Sequence, residues 1–393
     1  MVKNKIDFKA RLIYSSIFCF LLFDNYINPP GIRPFDFIGW LILYFSSIFI
    51  ISKTKLISFS TKPMLLLSVL LVGPGVLVGI FELSSSVIPF ILGCIQFFIL
   101  SSSIIFADHL KNIAKFSLLF TSFSLLGQFI IYQVTGEAYS FIIWGTEVEL
   151  RANFRDLFFR VSGIYIEPSS HALATIVLLG IYTSIIKKRD YCCYIAVLSV
   201  LASMSLSGVL AAIMYLLMPI ELKLNPRLIA LKISTLLLIS AVAVPIAVND
   251  SAFSLAIFDR VDRVSNGEDG SAADRLGKLV SNSCQNFVEE NALLFPIIGS
   301  GVSSLAHAEK CGSNTLAWGV VSLGLIPAIL IIFSIIMVSF HTPLLLFSWM
   351  FVLVSSPQQS YGIFWFFVAA STIIIERDCR GKSKIPITKY VRA

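Results

Sequence analysis

Apolar segments close to the length of a membrane-spanning helix recur along almost the whole chain. Such a helix needs about 20 mainly apolar residues, because the hydrocarbon core is ~30 Å thick and each helical residue rises ~1.5 Å. Of the 393 residues, 56% are hydrophobic and only 13% are charged, whereas a soluble domain carries roughly a quarter charged residues. The sequence therefore predicts an all-α fold, a polytopic membrane helical bundle of about 12 transmembrane helices.

The predicted spans form a single membrane domain over residues 1–393. Hydropathy places them near 12–23, 37–52, 63–81, 86–107, 116–133, 165–186, 191–204, 207–220, 231–248, 315–339, 343–355 and 361–375. Only residues 204–208 separate the seventh and eighth spans, so one broken helix is the alternative to two spans there. That alternative would move every later loop to the other side of the membrane.

Basic residues orient this layout. Cytoplasmic loops of membrane proteins carry an excess of lysine and arginine. With the N-terminus inside, most of the 30 lysines and arginines lie in predicted cytoplasmic segments such as Lys187-Lys188-Arg189, and none falls in the middle of a predicted span. Both termini are therefore expected in the cytoplasm. The net charge of +7 is explained by this orientation signal and indicates no nucleic-acid partner.

Two predicted outer segments, residues 135–163 and 250–314, are long. Loops longer than ~15 residues usually have a function or are disordered. Within the second, apolar residues at helical spacing over 271–294 predict an amphipathic helix on the outer membrane surface, with a helix that only caps the bundle as the alternative. Cys284 and Cys311 share this loop, so an oxidising compartment would predict a disulfide, and two unpaired thiols are the alternative.

The outer loops carry arginine more often than lysine. The arginines are Arg151, Arg155 and Arg160 in the first loop, then Arg260, Arg263 and Arg275 in the second. A guanidinium group presents a planar donor fork that binds phosphate bidentately and keeps its charge at any working pH. The alternative for Arg151 and Arg160 is local ion pairing, because an acidic residue lies four positions before each of them.

Glu167 and His171 are the ionisable residues closest to membrane depth, near the outer end of the sixth predicted span. Ionisable groups at that depth commonly mark a functional site. The Gly299-Ser300-Gly301 turn could present backbone N–H groups to an anion, although a plain turn is the more common meaning of such a motif. The sequence contains no HExxH, CxxC or Asp-x-Asp motif, so we expect no catalytic metal and no cofactor.

Two of these segments resemble the O-antigen polymerase (Wzy) family, within the O-antigen polymerase and ligase superfamily. Arg160-Val-Ser-Gly-Ile-Tyr-Ile-Glu-Pro-Ser-Ser170 is similar to the Arg-Gly-(Glu/Asn)-Pro-Ser segment that leads into a span in these polymerases. NGEDGSAADR ending at Arg275, then FPIIGSG and SNTLAWGVVSLGL, is similar to their second signature. Ligases usually have His-Asn where this chain has Ser313-Asn314, which favours a polymerase over a ligase.

The resemblance implies a metal-independent glycosyltransferase of the bacterial inner membrane, acting at its periplasmic face on O-antigen or capsule. Donor and acceptor would be undecaprenyl-diphosphate-linked oligosaccharides, and a chain-length regulator protein is a further implied partner. Arg160 and Arg275 would stabilise the leaving diphosphate, and Glu167, with His171 as the alternative, would accept the hydroxyl proton. The implied substrate-binding residues are Arg151, Arg155, Ser169, Arg263, Gly299 and Gly301.

Three other functions compete with a polymerase. An O-antigen ligase would use the same donor with a different acceptor, and a structural membrane subunit would leave the outer arginines unexplained. A multispan flippase or transporter is also compatible with the span count. Major-facilitator carriers, however, consist of two repeated halves, and resemblance to them would require a long cytoplasmic linker between the halves. In this chain only residues 187–190 join the sixth and seventh predicted spans.

Overall fold

A computed structural model of the protein describes residues 104–137, 161–165, 168–220, 314–339, 342–355 and 362–382, together with residues 91, 93, 94, 97, 100, 101, 139, 286, 289 and 299. Within these residues the backbone consists of helices and turns, without a strand. The helices are α1 (Ile104–Thr135), α2 (Pro168–Ile186), α3 (Tyr191–Ala202), α4 (Leu206–Leu217), α5 (Thr315–Leu323), α6 (Leu325–Ser339), α7 (Pro343–Val354) and α8 (Gly362–Lys382).

The all-helical prediction is confirmed for this part of the chain. Two helical segments, Ala107–Thr135 and Pro168–Ile186, are long and apolar enough to cross a membrane. The spans predicted at 12–23, 37–52, 63–81 and 231–248 lie outside the described residues.

Helix α1 is longer than predicted. Residues 108–115 were expected to connect two spans, but they are helical, and α1 runs through them for 32 residues. At ~1.5 Å per residue this corresponds to ~48 Å, more than the ~30 Å of a hydrocarbon core. Asp108 and Lys111 are exposed in its first turns. Lysine is a good helix former, and charge alone does not end a helix, so these residues continue α1 beyond its apolar stretch.

Helix α2 lies at the centre of the described bundle. Every residue from His171 to Ser184 is buried, and the helix contacts α1, α3, α4, α7 and α8. A helix that is apolar on all sides is expected in a position enclosed by other helices or by lipid. Pro168 occupies its first turn, where a proline costs no hydrogen bond because the N–H there has no helical partner.

Helices α3 and α4 form an antiparallel hairpin. Met204, with φ 50°, turns the chain between them. Helix α3 starts beside the end of α2, where Tyr182 donates a hydrogen bond to Asp190 at 2.7 Å, and α4 returns to the same end, where the Tyr215 hydroxyl lies 2.6 Å from Thr183 Oγ1. The alternative of one broken helix is therefore wrong. Each helix has 12 residues, or ~18 Å, which is short for a complete membrane crossing.

Arg189 and Asp190 fasten the base of this hairpin to α2. The Asp190 carboxylate accepts from the backbone N–H groups of Cys192 and Cys193 at 3.1 and 3.4 Å, a helix N-cap. Burial raises the pKa of Asp190, but the hydrogen bonds from Tyr182 and from these N–H groups outweigh it and hold the pKa below its usual range. Arg189 donates to carbonyl oxygens at the end of α4 at 2.6 Å.

The predicted span at 315–339 is interrupted. Gly324, with φ 96°, separates α5 from α6, because a left-handed residue cannot continue a right-handed helix. Helix α7 packs on α2, where Ser348 Oγ lies 3.1 Å from the Ile176 carbonyl oxygen and faces Gly180. Such small-residue contacts allow close approach of helices in membranes. Helix α8 continues past its predicted end at 375 to Lys382.

The exterior of the described helices exposes large apolar side chains. On α1, Phe116, Phe123 and Ile130 repeat every seven residues along one face and are 52%, 56% and 60% exposed. Comparable residues are exposed on α3, α4 and α6. Soluble proteins rarely leave apolar patches of this extent facing water, so this surface supports association with a membrane.

Candidate functional site

Three of the predicted site residues lie among the described residues: Ser169, His171 and Gly299. The others lie outside them. They are Arg151, Arg155, Arg160, Glu167, Arg263, Arg275 and Gly301. We call the part of the chain between residues 139 and 161, which contains Arg151, Arg155 and Arg160, the first arginine loop. The site can therefore be built from the residues that flank this loop, namely the end of α1, the segment 161–165 and the start of α2.

Residues 161–165, here called the entry turn, directly follow Arg160 and lead towards α2. All five are buried, and Val161 packs with Leu125 of α1. Gly163 has φ +65°, in the left-handed region that favours glycine. A Cβ added there would lie 3.0 Å from Ser124 Oγ and 3.1 Å from the Leu125 nitrogen. Glycine is therefore favoured at position 163 for two reasons: it adopts the φ of the turn without strain, and it has no Cβ to collide with α1.

Gln128 of α1 holds this turn through its side chain. Its Oε1 accepts from the backbone N–H groups of Ser162 at 2.9 Å and Gly163 at 2.7 Å. Its Nε2 donates to the carbonyl oxygen of Tyr139 at 2.7 Å. The side chain is 1% exposed, and a buried amide requires such partners because leaving it unpaired is costly. Gln128 thereby contacts both flanks of the first arginine loop.

The chain leaves α1 through a glycine turn. Gly136 has φ +71° and donates from its N–H to the Tyr132 carbonyl oxygen at 2.8 Å, a common way to end a helix. The Tyr139 hydroxyl donates a hydrogen bond to the Glu137 carboxylate, and this bond raises the pKa of Tyr139. The helix end predicted near residue 133 is confirmed to within a few residues.

His171 lies beneath the entry turn, at the start of α2. Its ring is 0% exposed, and its Nε2 lies 3.2 Å from Ser199 Oγ and 3.3 Å from Thr175 Oγ1. Because Ser199 donates to the Ala196 carbonyl oxygen at 2.8 Å, we assign the Nε2–H tautomer, with Nε2 donating to Ser199. This leaves Nδ1 as the acceptor, and Nδ1 has no hydrogen-bond partner among the described residues.

This burial matters for the proposed role of His171 as a proton acceptor. A base must come within about 3 Å of the proton that it removes, directly or through one water. The aromatic ring of Tyr165 lies edge-on against the imidazole, with centroids 5.8 Å apart. Because the ring is fully enclosed, a substrate hydroxyl does not reach it in this arrangement, and the geometry favours His171 as a packing contact of this turn.

Ser169 and Asn314 lie at the beginnings of helices. Ser169 is half-buried in the first turn of α2. Asn314 is fully buried immediately before α5, and the N–H of Thr315 donates to the Ser355 carbonyl oxygen at 3.0 Å. This bond ties the start of α5 to the end of α7.

Gly299 is placed in a packing contact. It has φ +66°, and a Cβ there would meet Gly324 N and Val321 O, both at 2.5 Å. The backbone at Gly299 therefore packs directly against the break between α5 and α6, as a plain turn would.

Asn286 and Glu289, inside the predicted amphipathic helix, are helical and exposed, as its polar face requires. Cys284 and Cys311 lie outside the described residues.

Among the described residues, no group of three or more His, Cys, Asp and Glu side chains could hold a metal ion.

The site residue that sequence interpretation missed is Gln128. Its signal was a lone amide within the apolar run Ser124–Ile131, because a polar side chain in such a run needs a partner.

The chain matches no protein-family model, and no curated protein or solved structure is significantly similar to it.

Proposed function

We propose that the protein is a multi-pass inner-membrane glycosyltransferase that polymerises undecaprenyl-diphosphate-linked oligosaccharide repeat units at the periplasmic face. The observation that carries this proposal is the entry turn. It follows Arg160, it belongs to the segment that resembles the polymerases, and its backbone is buried and held by Gln128. A phosphate-binding arginine stabilises developing charge best when its backbone is fixed beforehand.

The chemistry requires stabilisation of a leaving diphosphate. The acceptor hydroxyl oxygen attacks the anomeric carbon of the donor sugar, and the bond from that carbon to the diphosphate oxygen breaks with its electron pair. Arg160 and Arg275 neutralise the charge that develops on the phosphate oxygens, and one such donor is typically worth ~3 kcal/mol. Glu167 accepts the hydroxyl proton, and Arg151 and Arg155 hold the glycan or the second diphosphate.

The order of the helices supports an outer position for this site. Helix α1 ends and α2 begins on either side of the first arginine loop, and Gln128 contacts both flanks of that loop. Lys187 and Lys188 are exposed at the opposite end of α2. Under the positive-inside rule these lysines belong in the cytoplasm. The arginine loop then faces the periplasm, and with the predicted span count both termini of the chain lie inside.

Alanine substitution of Arg160 and Arg275 tests the proposal. We expect Arg160→Ala and Arg275→Ala each to abolish long-chain polymer at normal protein levels in the membrane. Lysine at either position restores only part of it, because the donor fork is lost. The matched control is Lys188→Ala, which removes an exposed cation from the other end of α2.

The surface-glycan ladder of a deletion strain separates polymerase from ligase. Loss of a polymerase leaves a single repeat unit on the lipid core, whereas loss of a ligase leaves bare core. Wild-type chain length in both alanine variants would refute the arginine roles, and bare core in the deletion strain would replace the polymerase with a ligase.

A further inference from the structure

The side chain of Gln128 joins two points that are far apart in sequence. Tyr139 lies 11 residues after it, whereas Ser162 and Gly163 lie 34 and 35 residues after it. The chain between these partners contains Arg151, Arg155 and Arg160. One buried amide on a helix therefore contacts both ends of the segment that carries all three arginines of the first loop.

The chemistry of the amide suits this task. A carboxamide oxygen has two acceptor lone pairs, and its NH₂ group has two donor hydrogens. Here the oxygen accepts from two consecutive backbone N–H groups while the nitrogen donates to a backbone carbonyl oxygen. In the reversed orientation the NH₂ group would face the two backbone N–H groups, and the amide oxygen would face the Tyr139 carbonyl oxygen. The partners therefore fix the orientation of the amide. Among the natural side chains of this length, a carboxylate would lack the donor and a methionine would lack both functions.

We propose that Gln128 is a positioning residue that sets the geometry of the first arginine loop by holding its two ends together. Arg160 lies two residues before Ser162, so the backbone that carries its guanidinium group starts from a turn fixed to α1. The proposed loop clamp consists of Gln128, Tyr139, Ser162 and Gly163. The role in polymer synthesis rests on the proposed function, whereas the clamp itself does not.

A set of variants at this position separates the two halves of the clamp. Gln128→Leu removes the acceptor and the donor. Gln128→Glu keeps an acceptor for the entry turn and, when its carboxyl group is ionised, loses the donor to Tyr139. The matched control is Ser122→Ala on the same helix, because the buried Ser122 hydroxyl donates only to the Leu118 carbonyl oxygen at 2.6 Å, within α1.

Amide hydrogen exchange of the full-length protein in detergent reads the clamp directly. Peptides covering 161–165 should exchange faster in Gln128→Leu, and at the wild-type rate in Gln128→Glu and Ser122→Ala. In cells, Gln128→Leu should lose long-chain polymer, Gln128→Glu should give shortened chains, and Ser122→Ala should give the wild-type distribution. Should Gln128→Leu fail to accumulate, Gln128→Asn, which is one methylene too short to reach both ends, replaces it in both measurements.

Three results would overturn the inference or its basis, and they are distinguishable. Unchanged exchange at 161–165 in Gln128→Leu, or in Gln128→Asn where it replaces that variant, refutes the clamp. Faster exchange with wild-type polymer, while Arg160→Ala abolishes polymer, refutes the positioning role and leaves the proposed function standing. Wild-type polymer in Arg160→Ala and Arg275→Ala refutes the proposed function, and exchange still decides whether the clamp exists.

Discussion

Replacing Gly163 by alanine perturbs the entry turn in two ways that can be separated. Its φ of +65° lies in the left-handed region, which costs an L-residue ~1–2 kcal/mol. In addition, a Cβ would lie 3.1 and 3.2 Å from the N and Cα atoms of Leu125. These are backbone atoms of a helix and cannot rotate away, so the overlap adds a cost of roughly 1–3 kcal/mol.

The matched control is Gly136→Ala. Gly136 has nearly the same φ, +71°, but a Cβ there meets nothing within 4 Å. Both substitutions gain about 0.4–1 kcal/mol from the lower entropy of the unfolded chain. The conformational costs therefore nearly cancel between the two variants. The difference in their free energies of unfolding, roughly 1–3 kcal/mol, measures the overlap with α1 alone.

Thermal unfolding in detergent, followed by tryptophan fluorescence, provides the assay. At about 2 °C per kcal/mol, the lower end of the range for domains of 150–250 residues, Gly163→Ala should melt roughly 2–6 °C below Gly136→Ala. The surface-glycan ladder should shorten in Gly163→Ala and stay normal in Gly136→Ala. Equal melting temperatures for the two variants would refute the contact between the entry turn and α1.

Three further predictions concern the helix junction, the topology and the second loop. Asp190→Ala should cost ~1 kcal/mol as a lost N-cap. Because the pKa of Asp190 is lowered in the folded protein, its stabilisation is complete above about pH 4 and is lost as the pH falls through the folded pKa. The difference in melting temperature between the wild type and Asp190→Asn should decrease over the same pH range. Single cysteines at Glu149 and Asn266 should react with an impermeant thiol reagent from the periplasmic side, and labelling of position 266 only from the cytoplasm would contradict the layout. Cys284 and Cys311 should form a disulfide worth ~3 kcal/mol in the chain-entropy model, and complete alkylation of both thiols without reductant would exclude it.

The predicted boundaries are most accurate for the helices that begin with a proline or with a capping side chain. Pro168 begins α2, Asp190 caps α3 and Ser205 caps α4. Pro343 begins α7. Each of these residues acts within one or two turns, through a fixed φ or a short side chain that reaches nearby N–H groups. Local chemistry of this kind is visible in the sequence, and the predicted boundaries of these helices lie within a few residues of the observed ones.

Two errors in the predicted layout have a common cause. Residues 108–115 were interpreted as a connection because they carry charge, and 315–339 was interpreted as one helix because it is uniformly apolar. Hydropathy reports where a segment is expected to lie and not how its backbone is folded. The charged turns of α1 remain helical, while Gly324 interrupts an apolar run at φ 96°. A glycine can adopt that conformation without a change in hydropathy.

The loop clamp was beyond prediction for a different reason. A buried amide must find partners, and the sequence reveals that need at Gln128 because its neighbours are apolar. The partners, however, are backbone groups 11, 34 and 35 residues away, and every residue except proline offers the same N–H and carbonyl groups. Only the packing of α1 against the entry turn selects them. The arginines could therefore be identified from their chemistry, whereas the contacts of Gln128 with Tyr139, Ser162 and Gly163 could be identified only from the structure.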